Sequence, residues 1–458
     1  MFGNIKNFFV GVWNKLFNKD QLANKLGATI NVSDKMTKAI QDWDAIYKNQ
    51  SSWLNSQVKS LGLGASISSE FARLVTLELE SEVSGSVRAE FLNVQYSKLL
   101  ENLRQQTEYA LAKGGMVFKP YVADGEIKID YVQADCFYPI SFSDNGYVTE
   151  GFFVDQIKKG NYYYNKIEYR KFENGAETIK NMVFKSTTSN DIGNQISLES
   201  VNEWASLVPE ITFTGLKMPL FAYFKNPMAN TIEPGNPIGV SVFSRSAELI
   251  EEADKQWSRF LWENESGERA IDVDSGAFKK DEYGNMVIPS GKERLYRTLE
   301  STDNTPMYHD WSPEFRNDPL LAGLDAILKK IEFNCGLAYG ALSDPQTVDK
   351  TATEVKQARQ RSYSTVKDIQ NALNRALEHT VYIMDVLSTL YKLSPLGSYE
   401  VTSTWDDSII VDAEQERLRD MQEVTMGLMK NWQYRMKWYG ETEEEAKKNF
   451  PDTTEDIL

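Results

Sequence analysis

The chain has 458 residues, with 50 Lys and Arg against 66 Asp and Glu, and therefore a formal net charge of −16. A hydrophobic share of 41% and a charged share of 25% are typical of globular proteins and exclude wholesale disorder, while the acidic balance excludes a basic protein that grips nucleic acid through clustered cations. With two Cys and two His, the chain can build neither a disulfide scaffold nor a zinc site rich in those residues, and we predict no metal and no cofactor.

The N-terminal segment is apolar but interrupted. Asn7, Asn14 and Lys15 break the run before it can form a signal-peptide core or a spanning helix. Two interpretations remain: a helix packed on the protein itself or on a neighbour, and an amphipathic helix lying on a lipid surface. We favour the first, because apolar helix faces are usually buried in a protein core, and we predict no membrane partner.

The next part of the chain changes from helical spacing to strand spacing. Apolar residues over 71–79 predict a helix that Ser66 or Ser68 can cap, and a longer helix follows over 92–103 and ends at Gly114-Gly115. Residues 116–224 then alternate between apolar and polar side chains, with turn signals such as Asp124-Gly125 and Asn174-Gly175. This pattern predicts a meandering antiparallel sheet.

Two helices then enclose a compact insert. Apolar residues over 243–261 predict a helix of about six turns. Over residues 266–316 the apolar pattern consists of short segments that Gly and Pro interrupt repeatedly. This predicts a compact loop-and-strand insert. A second helix follows, with Asn317 or Asp318 as its cap and Pro319 in its first turn.

A polar break over 343–350 leads into a third helix, which begins at a capping box formed by Thr351 and Glu354. About 38 residues of helix would span roughly 57 Å, more than a typical domain, so the helix serves an assembly or joins domains. The tail predicts a short strand over 399–405, a charged helix over 413–429 and one more helix that begins in the acidic stretch 441–445.

Catalytic motifs are missing from the sequence. It contains no phosphate-binding G-x-x-x-x-G-K-[ST] loop and no G-x-S-x-G elbow. His309 and His379 could act as general bases, but neither has a nucleophile at a recognisable spacing. Asp406-Asp407 could hold a metal as in a nuclease, yet paired carboxylates after a strand are more often turn and cap residues. We therefore predict that the protein is not an enzyme.

One local excess of positive charge stands out in this acidic chain. Lys350, Lys356, Arg359 and Arg361 surround the start of the long helix, where basic charge opposes the helix dipole. Two interpretations remain: a solvated helix N-terminus that carries a mild electrostatic cost, and a site where that cost leaves room for an anionic partner nearby.

The order of these parts resembles the portal proteins of long-tailed bacteriophages, over about residues 92–422. The stretches that carry the resemblance are, in chain order, ALAKGG at 110–115 with FKPY at 118–121, IKIDYVQAD at 127–135 with YPI at 138–140, NPIGVSVF at 236–243, KTATEV at 350–355 and DDSII-x-D at 406–412. Each stretch alone is weak, and five in the family's order are fairly specific.

The resemblance implies an α+β portal fold with named parts. These are a wing over residues 1–236, a first stem helix over 237–266, a clip over 267–316, a second stem helix over 317–340, a tunnel loop over 341–351, a long wing and crown helix over 352–394, and a C-terminal strand with a helical crown over 395–458. The implied site is a DNA channel at the tunnel loop and the adjoining helix start. Its residues are Ser343, Asp344, Gln346, Thr347, Val348, Asp349, Lys350, Lys356 and Arg359.

The resemblance also implies the protein's function and partners. The chain would form a ring, usually of about twelve copies, at one vertex of the capsid, after synthesis in the host cytoplasm. Double-stranded DNA would pass through the ring non-specifically. The terminase large subunit and then a head–tail adaptor would dock on it, and major capsid and scaffolding proteins would surround it. Two alternatives remain: another head–tail connector or minor capsid protein, and a metal-dependent nuclease that uses Asp406-Asp407.

Overall fold

Helices and mainly antiparallel sheets make up the fold, which confirms the predicted α+β class. The computed structural model describes residues 33–268, 270–274, 282–283, 296–299, 308–311, 314–343, 352–405 and 413–449. The predicted N-terminal apolar segment, the Thr351 cap and Asp406-Asp407 lie outside these residues.

Three helices open the described chain: α1 (Asp34–Tyr47), α2 (Leu63–Thr76) and α3 (Val87–Lys113). Helix α3 ends, as predicted, at Gly114, which has a φ of +100°. A side chain here would also be blocked, because a Cβ on Gly114 would lie 2.5 Å from the carbonyl oxygen of Gly239. This glycine therefore allows the end of α3 to touch the segment that leads to the next helix.

The predicted helix over 71–79 is correct only as far as Thr76. Its proposed cap is wrong, because α2 already begins at Leu63, so that Ser68 lies inside the helix and donates to the Gly64 carbonyl at 2.9 Å. Leu79 instead begins strand β1 (Leu79–Ser84).

The partner of β1 is β14 (Glu400–Trp405), which confirms the strand predicted in the tail. The two strands are antiparallel, with Leu79 opposite Trp405 and Ser84 opposite Glu400. The Trp405 indole nitrogen donates to the Val75 carbonyl at 3.0 Å. Residues 400–405 are thereby fixed to the end of α2 and to β1.

The predicted meander over 116–224 forms two sheets rather than one. The strands are β2 (Gly115–Ala123), β3 (Glu126–Gln133), β4 (Phe137–Phe142), β5 (Val148–Lys159), β6 (Tyr162–Glu173), β7 (Ala176–Ser186), β8 (Asn194–Ile196), β9 (Glu210–Thr214) and β10 (Ala222–Lys225). One sheet has the order β10-β2-β3, and the other has the order β4-β5-β6-β7-β8 with β9 also paired to β7. The predicted hairpin turns are confirmed, since Asp124 and Gly125 have φ values of +56° and +78°, and Asn174 and Gly175 of +51° and +73°.

A buried charge network ties these two sheets together. Lys119 on β2 lies 3.1 Å from a Glu168 carboxylate oxygen on β6, and the Arg170 guanidinium lies 2.6 Å from the other oxygen and 3.4 Å from Glu177 on β7. The Leu220 backbone completes the network, because its carbonyl accepts from Arg170 at 2.9 Å and its N–H donates to Glu177.

The ionisation of these carboxylates follows from their neighbours. Burial alone would raise the pKa of Glu168, but Lys119 and Arg170 outweigh it and hold that pKa far below its ordinary value. Burial raises the pKa of Glu177 above its ordinary value, although Arg170 and the Leu220 N–H partly oppose this shift. Arg170 is therefore the cation that two buried carboxylates share.

The predicted helix–insert–helix unit is confirmed. Its elements are α4 (Ala247–Ser266), β11 (Ala270–Asp274), β12 (Tyr296–Leu299), β13 (Tyr308–Trp311) and α5 (Asn317–Cys335), with the short sheet ordered β12-β11-β13. Helix α5 runs antiparallel to α4, because the Leu320 carbonyl accepts from Gln256 near one end and Cys335 contacts Ser246 at the other. The predicted cap is wrong, because Asn317 is already helical and Arg316 holds the cap position.

Arg316 instead links the two helices at the base of the insert. Its guanidinium donates to both carboxylate oxygens of Glu263, at 3.0 and 2.7 Å, and its backbone N–H donates to the same group at 3.1 Å. Next to it, the side chains of Asn317 and Asn264 are hydrogen-bonded at 3.0 Å. The insert therefore leaves the helix pair from a fixed base.

The long helix α6 (Ala352–Leu390) has 39 residues, which confirms the predicted length. After β14 the chain ends in α7 (Ala413–Thr425), α8 (Asn431–Tyr439) and α9 (Glu443–Asn449). The charged helix predicted over 413–429 stops at Thr425, and the sequence did not predict α8. Helix α9 does begin in the acidic stretch, where Thr442 and Glu445 form a reciprocal cap.

Candidate functional site

The predicted site residues flank the junction between α5 and α6. Helix α5 ends at Gly336, whose φ is +82° and whose N–H donates to the Glu332 carbonyl at 3.0 Å. A Cβ at Gly336 would lie only 2.5 Å from the Thr365 hydroxyl. Helix α5 therefore ends in direct contact with α6, thirteen residues beyond the start of that helix at Ala352.

A buried carboxylate organises the chain that follows α5. The Glu332 side chain is fully buried, and its Oε1 accepts from the backbone N–H groups of Gly340 at 3.1 Å, Leu342 at 2.6 Å and Ser343 at 2.8 Å. The Ser343 hydroxyl also donates to this carboxylate. Charged acceptors make stronger hydrogen bonds than neutral ones, so this carboxylate fixes where residues 344–351 begin.

The predicted residue Ser343 is therefore part of that anchor. Its side chain is 5% exposed, and its hydroxyl lies 3.1 and 3.0 Å from the two Glu332 oxygens. Its assignment as a channel residue stays a proposal. The contact partner, Glu332, was missed by the sequence reasoning, because a lone Glu in a helix is ordinarily a solvated residue.

The other predicted residues are only partly placed. Asp344, Gln346, Thr347, Val348, Asp349 and Lys350 lie outside the described residues. Lys356 and Arg359 lie in the first turns of α6, where the structure describes the backbone but not the side chains.

A second group at the junction combines two cations with one aromatic ring. On α5, the Lys330 ammonium lies 4.9 Å from the centre of the Phe333 ring, and the Arg361 guanidinium on α6 lies 4.0 Å from it. Phe333 is 42% exposed, and both cations are exposed as well. The spacing of Lys330 and Phe333 indicates that they share a helix face, but Arg361 is too distant in sequence for that pattern to reveal the contact.

The second half of α6 is fastened to the rest of the chain. His379 is buried, with its ring nitrogen 2.8 Å from the Pro219 carbonyl, and the Tyr382 hydroxyl accepts from the Lys217 N–H at 2.8 Å. Further along, Asp385 lies 3.6 Å from the buried Arg88 guanidinium. Residues 379–385 therefore hold α6 against both the sheet region and α3.

His379 has the surroundings of a structural histidine. Burial lowers its pKa to about 4, only partly opposed by the hydrogen bond with Pro219. Tyr147 packs edge-on against the ring at 5.2 Å. For His309, on β13, the backbone alone is described.

The described residues hold neither a membrane-spanning helix nor a metal site. Within those ranges, no helix is both long and apolar enough to cross a membrane. Over the same parts of the chain, no three His, Cys, Asp or Glu side chains come together as ligands for a metal ion.

Comparison with known protein families identifies a match over most of the chain. A family model described as phage portal protein, SPP1 Gp6-like, matches residues 29–454. None of the curated proteins matches the chain. The family match covers nearly the whole chain and includes every predicted site residue.

Proposed function

Because the chain belongs to the SPP1 Gp6-like family of phage portal proteins, we propose that it forms a closed ring of about twelve copies at one vertex of a phage capsid. Double-stranded DNA would pass through this ring during packaging and ejection. The family match over residues 29–454 is the observation that carries the proposal, and the order of helix, insert, helix and long helix supports it.

We assign each part of a portal to elements of the fold. We assign the wing to the region up to residue 236, which contains α1–α3 and the two large sheets. The first stem helix is α4 within 237–266, the clip is the insert over 267–316, and the second stem helix is α5 within 317–340. The tunnel loop is 341–351, α6 within 352–394 runs towards the crown, and residues 395–458 complete it.

The charge of the chain suits a conduit. About twelve copies of a chain with charge −16 sum to roughly −190, a field that repels phosphate. Many cation–phosphate contacts would hold DNA tightly and in a salt-dependent way. A small number of cations at one level of the channel would guide the duplex without stopping it.

The proposed partners follow from the same assignment. The clip would dock the terminase large subunit during packaging and a head–tail adaptor afterwards. Major capsid and scaffolding proteins would contact the outside of the ring. The Arg316–Glu263 link favours this role for the insert, because a docking surface is more precise on a fixed base.

Removal of the basic residues near the loop tests the proposed channel site. We expect the variant with Lys350→Ala, Lys356→Ala and Arg359→Ala to assemble rings but to package DNA about tenfold less efficiently, because phosphate contacts near the loop are lost. Packaging would be measured as nuclease-protected DNA in a reconstituted reaction, and rings would be counted by negative-stain electron microscopy.

The matched control removes three exposed lysines on α1 and α9, Lys35, Lys38 and Lys448, and is expected to package like the wild type. If the junction variant packaged DNA as efficiently as the wild type, the three residues would not be DNA contacts. Monomers without annular particles in the wild-type sample would rule out the portal function itself.

A further inference from the structure

The cation–aromatic group at the end of α5 has no assigned role. It consists of Lys330, Phe333 and Arg361, whose two charges lie within 5 Å of the centre of one exposed ring. We propose that these three residues form a second contact site for the DNA backbone, distinct from the residues of the tunnel loop. The inference rests on the proposed portal function and adds to it a DNA contact formed by α5 and α6.

The first argument is the charge balance of the group. Among the described residues, buried cations are matched by carboxylates of the same chain, as Lys113 is by Asp44 and Asp135, and Lys119 by Glu168. Within the described ranges, the Lys330 ammonium and the Arg361 guanidinium form no ion pair with a carboxylate, and both lie over the Phe333 ring. Two like charges around one ring repel each other, so an incoming anion would be attracted to both.

The second argument is geometry. A guanidinium stacked on an aromatic ring keeps its in-plane N–H donors available, and this donor fork fits the oxygens of a phosphate. The Phe333 ring also restricts the motion of both cations, so less side-chain entropy is lost when an anion binds. The site is therefore partly preorganised.

The third argument is position. Phe333 follows the buried Glu332 carboxylate that holds Ser343, and it lies one turn before Gly336, where α5 touches Thr365 of α6. The group is thereby attached to the rigid base from which residues 344–351 depart. If this face of α5 lines the channel of the ring, every copy would carry the group at the level of the loop base, and together the copies would form a band of positive charge there.

Photo-crosslinking tests the contact directly. Phe333 would be replaced by p-benzoylphenylalanine, and rings arrested during packaging would be irradiated. We expect a crosslink to DNA, and none from the same replacement at Tyr162, an exposed sheet residue that also contacts a lysine. A crosslink from position 333 only to a second copy of the chain would overturn the proposal and identify the group as a subunit contact.

A charge-removal variant gives an independent measurement. We expect Lys330→Gln with Arg361→Gln to form rings whose affinity for a short duplex falls about tenfold at low salt, with a weaker salt dependence, because phosphate contacts are lost. Arg361→Lys should keep the salt dependence, since the charge remains, but lower the affinity because the planar fork is lost. The control is Lys158→Gln with Lys185→Gln, two lysines that also lie over tyrosine rings in the sheet region, and it should match the wild type.

The outcomes separate this inference from the function on which it rests. Wild-type rings that package DNA, together with a double variant that binds duplex as well as the wild type, would overturn the inference alone. A double variant that no longer forms rings would also overturn it. Wild-type protein that forms no rings would overturn both proposals.

Discussion

Replacement of Arg170 by methionine is expected to lower the free energy of unfolding by about 3–5 kcal/mol, the usual effect of removing one partner from a buried ion pair. Arg170 lies between Glu168 on one strand and Glu177 on the next, and its guanidinium also donates to the Leu220 carbonyl. A methionine side chain is unbranched like that of arginine but carries no charge. Both carboxylates would then remain buried in the sheet, with Lys119 still 3.1 Å from Glu168.

The difference in unfolding free energy between the wild type and the Arg170→Met variant should become smaller as the pH falls. Without Arg170, the folded-state pKa values of both carboxyls rise. Burial already holds the pKa of Glu177 above its ordinary value, so Glu177 in the folded variant binds a proton more readily than it does in the unfolded chain. A carboxyl with a raised pKa destabilises the fold above that pKa, and protonation relieves the loss as the pH falls towards the unfolded value. In the wild type, the depressed pKa of Glu168 lies far below this range, so its contribution stays constant between pH 8 and pH 5.

Urea unfolding at pH 8 and pH 5 would measure the effect at one fixed protomer concentration, because assembly adds to apparent stability. The adjacent Lys171→Met variant is the control. Lys171 pairs with Glu173 at 2.8 Å on the surface, and its loss should leave unfolding nearly unchanged. An Arg170→Met variant as stable as this control at pH 8 would contradict the role assigned to the network.

Local patterns predicted the elements well but not their long-range partners. Turn dipeptides fixed the hairpins at Asp124-Gly125 and Asn174-Gly175, because positive φ values are a property of the local sequence. Strand β1 was misread as a continuation of α2, since Leu79 fits the helical spacing equally well. Residues 79–84 form a strand because they pair with residues 400–405. The local sequence cannot predict that pairing, because the partner lies more than 300 residues away.

The candidate site was predictable to a similar degree. The polar break and the local basic excess indicated the junction between α5 and α6, and the resemblance indicated what it could contact. Glu332 and Phe333 remained hidden because their roles depend on groups brought in by the tertiary fold. The Glu332 carboxylate needs the backbone of residues 340–343 to fold back over it, and the Phe333 ring needs Arg361 from the next helix.

The Glu332 carboxylate should have its largest effect on the backbone that it holds. Replacement by alanine removes the shared acceptor of the Gly340, Leu342 and Ser343 N–H groups, and bonds to a charged acceptor contribute about 1.5–3 kcal/mol each. Because this stretch can open without unfolding the whole chain, we expect amide hydrogen exchange there to become at least about 100-fold faster while global stability changes less.

A conservative variant distinguishes the acceptor from its charge. Glu332→Gln keeps one carbonyl-type oxygen for the three N–H groups but loses the charge, so exchange should rise by an intermediate amount, whereas Glu332→Ala should release all three. The control is Asp325→Asn on the same helix, whose carboxylate pairs with Lys329 nearer the surface. Unchanged exchange at residues 340–343 in the alanine variant would exclude the anchor.

The same anchor connects stability to the proposed function. If residues 344–351 approach DNA, their starting point is set by a carboxylate inside the chain and not by the DNA, so the loop pays little ordering entropy when a duplex arrives. We therefore expect Glu332→Ala rings to assemble but to package less DNA than Glu332→Gln rings, so that the variant with the faster exchange packages less. Equal packaging by the two variants, with exchange rates that still differ, would mean that the position of the loop base does not matter to DNA passage.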